Sequence, residues 1–132
     1  MVRMAQAFHH SIPQLSCLPF SKMHAAQMFH ACIASDAHLC LALDVQGVRG
    51  AMIVALGPYP LGPAVLAKEV IFWIEPEHRG RWWRQMIVAA ETWARDRGAS
   101  ALGLSCFADG RTHKIFERAG YEAREIVTFK EL

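Results

Sequence analysis

The stretch EVIFWIEPEHRGRWWRQM, residues 69–86, decides how the chain is read. It opens with an unbroken apolar run, 70–74, the pattern of a strand covered on both faces. Pro76 ends that run, because proline removes a ladder donor and fixes φ. Beyond it, Trp82, Met86, Ala89, Ala90, Trp93 and Ala94 recur at helical spacing, with Arg84, Glu91, Arg95 and Asp96 on wetter positions. A helix is therefore predicted over 81–97, and Gly98 supplies its stop. A further apolar strand is predicted over 101–107. The resulting strand–helix–strand unit at 70–107 favours an α/β sandwich built on a mixed sheet.

Upstream, residues 57–63 (GPYPLGP) hold too many prolines and glycines to be anything but a loop. The apolar runs 39–45 and 48–56, separated by Gln46 and Gly47, predict a hairpin. Ser21 has the character of a helix cap, and Met23, Ala26, Phe29, His30 and Ile33 follow at amphipathic spacing, so a helix is predicted that ends before Asp36. The first twenty residues carry Pro13 and Pro19 and no sustained period, which leaves room for at most one short strand. Downstream, a polar turn at Asp109 and Gly110 precedes a brief helix over 111–118 closed by Gly120. The alternation over 125–129 predicts a final strand.

The 132 residues, 53% hydrophobic and 20% charged, suit a single domain spanning 1–132 with a real core. A formal charge of +2 is too small to point to nucleic acid or an anionic membrane by itself. Cys17, Cys32, Cys40 and Cys106 form no Cys-x-x-Cys pair, so reduced thiols in a cytosol are expected. No signal peptide is legible, and no apolar run approaches the ~20 residues of a membrane span, so a soluble cytoplasmic protein is expected. The seven histidines never fall at His-x-x-x-His spacing, so no metal site is expected. Trp73, Trp82, Trp83 and Trp93 are read first as core, each able to bury on the order of 150–250 Å².

The join between the 70–74 strand and the helix has a chemical use. The first turn of a helix leaves N–H groups unpaired and carries a partial positive charge, so an anion such as a pyrophosphate can bind there. Arg79, Arg81 and Arg84 would add full charges. The bland reading, a solvated basic patch, fits the same residues.

With EVIFWIEPEHRG, HKIFERAGY and GYEAREIVTFKEL in this order and spacing, the chain resembles the GNAT superfamily of N-acetyltransferases. The first looks like the family's fourth strand with its Val-x-Pro-x-x-Arg-Gly ending. The second is similar to its Leu-Tyr-Glu-Lys-x-Gly-Phe segment, and the third to its closing strands. The resemblance covers about residues 68–132 well and the earlier half only by its helix-then-hairpin order. More narrowly, Glu91, Trp93, Ala94, Gly98 and Ala99 together with the ending at 125–132 look like the small GNAT proteins carried by tailed bacteriophages.

The resemblance implies a GNAT-like mixed, mostly antiparallel sheet flanked by helices on both faces, and transfer of an acetyl group from acetyl-CoA to a small-molecule or protein amine. It implies that backbone of Ile74 and Glu75 holds the pantetheine arm, and that His78, Arg79, Gly80, Arg81, Trp82, Trp83 and Arg84 surround the pyrophosphate. Asp109 falls where the family often has a cofactor-contacting asparagine. Phe116 falls where many members place a proton-donating tyrosine. Glu69 and Glu75 match regions where a general base is sometimes found, and Glu69 is preferred because Glu75 precedes Pro76 at the strand exit.

Trp82 stands where the family's loop has glycine, so either its indole turns into the core with Met86 and Trp93, or it blocks the phosphate seat. Trp82, Arg84, Asp109 and Phe116 together keep open an alternative: a phage structural or binding protein that has lost the cofactor. Nucleic-acid modification or binding through the basic turn is a third reading. Oligomeric state is left open, a homodimer being compatible with the sequence.

Overall fold

The computed structural model describes residues 1–13, 16–106, 111–125, 127–128 and 130. Gln46 (φ 53°) and Gly47 (φ 115°) turn β1 (His38–Asp44) back onto β2 (Val48–Pro58), and the Gly47 N–H donates to Asp44 Oδ1 at 2.8 Å. Both turn residues lie in the left-handed region that a tight hairpin turn requires, and the hairpin expected around Gln46 and Gly47 is present. The hairpin is antiparallel from His38 opposite Ala55 to Asp44 opposite Val48. β3 (Val65–Ile74) returns antiparallel to β2, and β4 (Ala99–Gly103) lies parallel to the start of β3, giving the order β1-β2-β3-β4.

Period-two alternation sends the side chains of β2 to two separate cores. Met52 and Val54, with Ala67 and Ile74 of β3, face α3 (Arg79–Asp96) and pack on its Met86, Ala90 and Ala94. Ile53 and Ile71 face the other way, onto Ala5 of α1 (Val2–His10) and Ala25, Phe29 and Cys32 of α2 (Lys22–Ile33). The sheet is thus covered on both faces, as a mixed, mostly antiparallel sheet of this fold class requires. Residues 51–54 are fully enclosed at 0% exposure, which explains why they read as one apolar run rather than an alternating one.

Several expectations hold closely. Ser21 caps α2 by accepting the His24 N–H at 3.3 Å, α3 stops at Gly98 (φ 75°), and α4 (Arg111–Arg118) stops before Gly120 (φ 90°). Others need correction. The first residues form the helix α1, not a strand, because Met1, Ala5 and Phe8 at i, i+4 and i+7 lay an apolar stripe on the α2 side of the sheet. Both prolines of that region fall after the helix, where they do no harm. β3 begins at Val65 rather than 70, since the residues before the apolar run still pair with β2 and β4. β4 ends at Gly103; Phe107 and the turn at Asp109 and Gly110 lie outside the described residues. Of the strand expected over 125–129, Glu125, Val127 and Thr128 are exposed and form no strand, while Ile126 and Phe129 lie outside the described residues. No described helix is long and apolar enough to cross a membrane.

Candidate functional site

The register of β2 against β3 slips at one point: Ile53 lies opposite Ile71 but Val54 lies opposite Glu69. Val70 is therefore an extra residue, a β-bulge, which resets which side chains face which way. Directly opposed residues share a face, so Glu69 points to the α3 side with Val54, as Ala67 does before it and Phe72 and Ile74 do after the bulge. The described β3–β4 ladder ends at Lys68 opposite Gly103. Glu69 stands one residue past that end, and its Oε2 accepts the backbone N–H of Ser105 at 3.1 Å.

A carboxylate held in this notch is poorly hydrated. Burial pushes the Glu69 carboxyl up to about 7, against the opposing pull of the Ser105 N–H. Such a group can exchange a proton near neutral pH, which an ordinary exposed glutamate does not do.

Five residues further on, the strand leaves the sheet through Ile74 and Glu75. Glu75 makes a different use of its charge. Its Oε1 accepts from Arg3 Nη1 at 2.6 Å and its Oε2 from Arg49 Nη1 at 3.3 Å, and these guanidinium groups, Arg3 first, hold its carboxyl below the usual range. The Ile74 carbonyl accepts from Arg79 Nε at 2.8 Å, and the Arg79 guanidinium lies 4.4 Å from the Trp73 ring centre. The charge of Arg79 is thus folded back onto the strand end.

A short 3₁₀ turn, Pro76–His78, then feeds α3. N-cap His78 makes no side-chain cap hydrogen bond, and no acidic residue occupies the first turn, so the partial positive charge of the helix end is not neutralised from within. A Cβ built on Gly80 would meet nothing within 4 Å outside the helix itself. The Trp82 and Trp83 side chains pack against the α3-side core, and the Arg81 guanidinium covers the Trp82 ring at 4.9 Å. Of the two orientations the sequence allowed for Trp82, the inward one is found. On the solvent face of α3, Arg81, Arg84, Gln85, Val88 and Ala89 line an open groove of about 490 Å³.

Phe116 of α4 is 5% exposed and packs beside Tyr121 at 6.1 Å between ring centres. The Tyr121 hydroxyl donates to Glu91 Oε1 at 2.8 Å, and burial together with the Glu91 carboxylate raises its pKa beyond the usual phenol range. Asp109 lies outside the described residues. The residues that sequence reading missed are partners of those it named: Ser105 for Glu69, Arg3 and Arg49 for Glu75, Tyr121 for Phe116 and Glu91. Only Tyr121 carried a signal, as the aromatic after the helix-closing glycine.

No protein-family model matches the chain, and no curated protein does. Solved structures do. A transcriptional regulator from Bacillus halodurans C-125 superimposes with a TM-score of 0.81 at 14% identity, over 99% of this chain and 92% of that one. Glucosamine-6-phosphate N-acetyltransferase from Arabidopsis thaliana gives a TM-score of 0.72 at 12% identity, covering 99% and 93%. An acetyltransferase from Trypanosoma brucei gives 0.73 at 14%, covering 99% and 92%. At these identities the likeness defines the fold alone: an α/β protein with a GNAT-like mixed sheet, here with a half-buried carboxylate beside the bulge of β3.

Proposed function

We propose that the protein is an N-acetyltransferase that moves an acetyl group from acetyl-CoA to an amine, with Glu69 as general base. The observation that carries this reading is the Glu69 carboxyl: half-buried beside the end of the described β3–β4 ladder, raised to about 7, and held toward α3 by the bulge. An amine with an ordinary pKa near 10.4 must lose a proton before it can attack a carbonyl, and a carboxylate takes that proton directly or through one water.

Acetyl-CoA supplies the acetyl group as a thioester. The residues present fit it: an uncapped helix end, open space at Gly80, and an indole at Trp82 turned inward. The Arg79 N–H already donates to the Pro76 carbonyl, so the amides that follow it in the first turn of α3 would hold the pyrophosphate, with Arg81 and Arg84 adding charge beside it. On the family's pattern, backbone at Ile74 and Glu75 would hold the pantetheine arm, in competition with the Arg79 side chain on the Ile74 carbonyl and with the Glu75 N–H bond to the Arg49 carbonyl. Phe116 has no proton to give, so the departing sulfur, whose thiol ordinarily titrates at about 8.5, leaves without help from that position.

A second reading draws on the buried Phe116 and on Arg79, whose charge is spent on the Ile74 carbonyl: a GNAT-fold binding or structural component, such as the phage proteins it resembles, without catalysis. The acceptor assay separates the two. Release of the coenzyme A thiol, followed over small amines and lysine peptides as pH is scanned, is expected to climb through an apparent pKa of about 7. A profile flat across neutrality would remove Glu69 from the role of base.

A further inference from the structure

Glu75 invites a role as a second base, but its geometry points elsewhere. Both carboxylate oxygens are engaged, one by Arg3 at 2.6 Å and the other by Arg49 at 3.3 Å, and the side chain keeps only 17% of its exposure. Arg3 makes a further bond, Nη2 to the Val48 carbonyl at 2.9 Å, and the Glu75 N–H donates to the Arg49 carbonyl at 2.8 Å. The Glu75 carbonyl in turn accepts the His78 N–H at 2.9 Å, starting the 3₁₀ turn that leads into α3. One residue therefore ties α1, the start of β2 and the strand exit to the first turn of the helix.

Exposed ion pairs contribute little to global stability, and Arg3 is 65% exposed. What a three-point clamp does fix is position. Helix α1 packs on the face of the sheet opposite α3, so this clamp reaches from one layer of the fold to the elbow that opens the other.

We infer that Glu75 is a positioning residue, not a base: its carboxylate, clamped by Arg3 and Arg49, sets the β3–α3 elbow and so couples the N-terminal helix to the affinity of the cofactor seat. This rests on the acetyl-CoA reading above, and it extends that reading to a residue of α1, remote from the reacting groups. A base must be free to take a proton from the substrate, whereas both oxygens here already accept from guanidinium groups.

The test compares Glu75→Ala, Glu75→Gln, Arg3→Ala and the double variant Arg3→Ala/Glu75→Ala. Acetyl-CoA affinity is expected to fall about tenfold in Glu75→Ala and by a similar factor in Arg3→Ala, with the double variant no worse than either. Glu75→Gln, which keeps an acceptor, is expected to recover part of the loss. The midpoint of the pH–rate profile should stay where Glu69 puts it. Hydrogen exchange of the 75–82 amides in the ligand-free protein should quicken in Arg3→Ala, a readout that holds even if acetyl-CoA is not the ligand. Wild-type exchange and affinity in Arg3→Ala would overturn the coupling, and loss of the titration near 7 in Glu75→Ala would make Glu75 the base after all. Failure of the wild-type protein to bind acetyl-CoA, with quickened exchange in Arg3→Ala, would count against the cofactor and leave the clamp standing.

Discussion

Glu69→Gln is expected to lower turnover by about 10²–10⁴-fold, the usual contribution of a positioned general base, while making the protein more stable above neutral pH. The two effects share one cause. Folding raises this carboxyl from its ordinary 4.5 to about 7, so the folded chain holds a proton more tightly than the unfolded one. Stability is then unaffected by this group well below pH 4.5, declines as pH rises through the interval between the two values, and bears the full cost above about 7. Glutamine removes the charge that burial penalises and still offers an oxygen to the Ser105 N–H. At pH 8 the gain should be on the order of 1–3 kcal/mol, and near pH 4 it should vanish. Urea unfolding of both proteins at the two pH values checks this. A variant less stable than wild type at pH 8 would mean that the carboxylate is paired rather than held under strain, and the assignment of a poised base would fall with it.

Gly50→Val should be the most damaging single change near the strand exit, costing about 3 kcal/mol. Gly50 lies buried in β2 opposite Ile74, and a Cβ there would stand 3.0 Å from the Trp73 carbonyl oxygen, 3.2 Å from Ile74 Cγ1 and 3.2 Å from Leu43 Cβ. The carbonyl belongs to backbone and cannot swing aside, so the cost falls on the register of β2 against the end of β3. A fall in Tm of roughly 10 °C is expected for a domain of this size. Gly57→Ala is the control in the same strand, because its added carbon meets nothing within 4 Å. Equal losses at both positions would show that β2 resists any side chain, rather than that Gly50 is closed by its neighbours.

Much of this architecture could be read from residue patterns, and the exceptions have physical reasons. The Gln46-Gly47 turn, the Ser21 cap and the apolar face of α3 are local signals, each settled within a few residues by backbone preference or by period. α1 was missed because nine residues give the helical period only about two and a half turns, beside prolines that belong to the next segment. Glu69 was legible as a candidate by its place in the resemblance, but not the bulge at Val70 that turns it toward α3, since register is a property of two strands. The Arg3–Glu75 pair joins residues 72 apart and leaves no trace in local sequence. The inward turn of Trp82 sat between the two, set by a helical period that the sequence did contain.

Calorimetric titration with acetyl-CoA, and with coenzyme A alone, goes most directly to the central claim that the first turn of α3 still receives a diphosphate. Both ligands are expected to bind saturably, more weakly as salt rises, and at a hundredfold excess over Kd to add about 2.7 kcal/mol of stability. No heat and no thermal shift with either ligand at millimolar concentration would contradict the account and leave the fold without the chemistry.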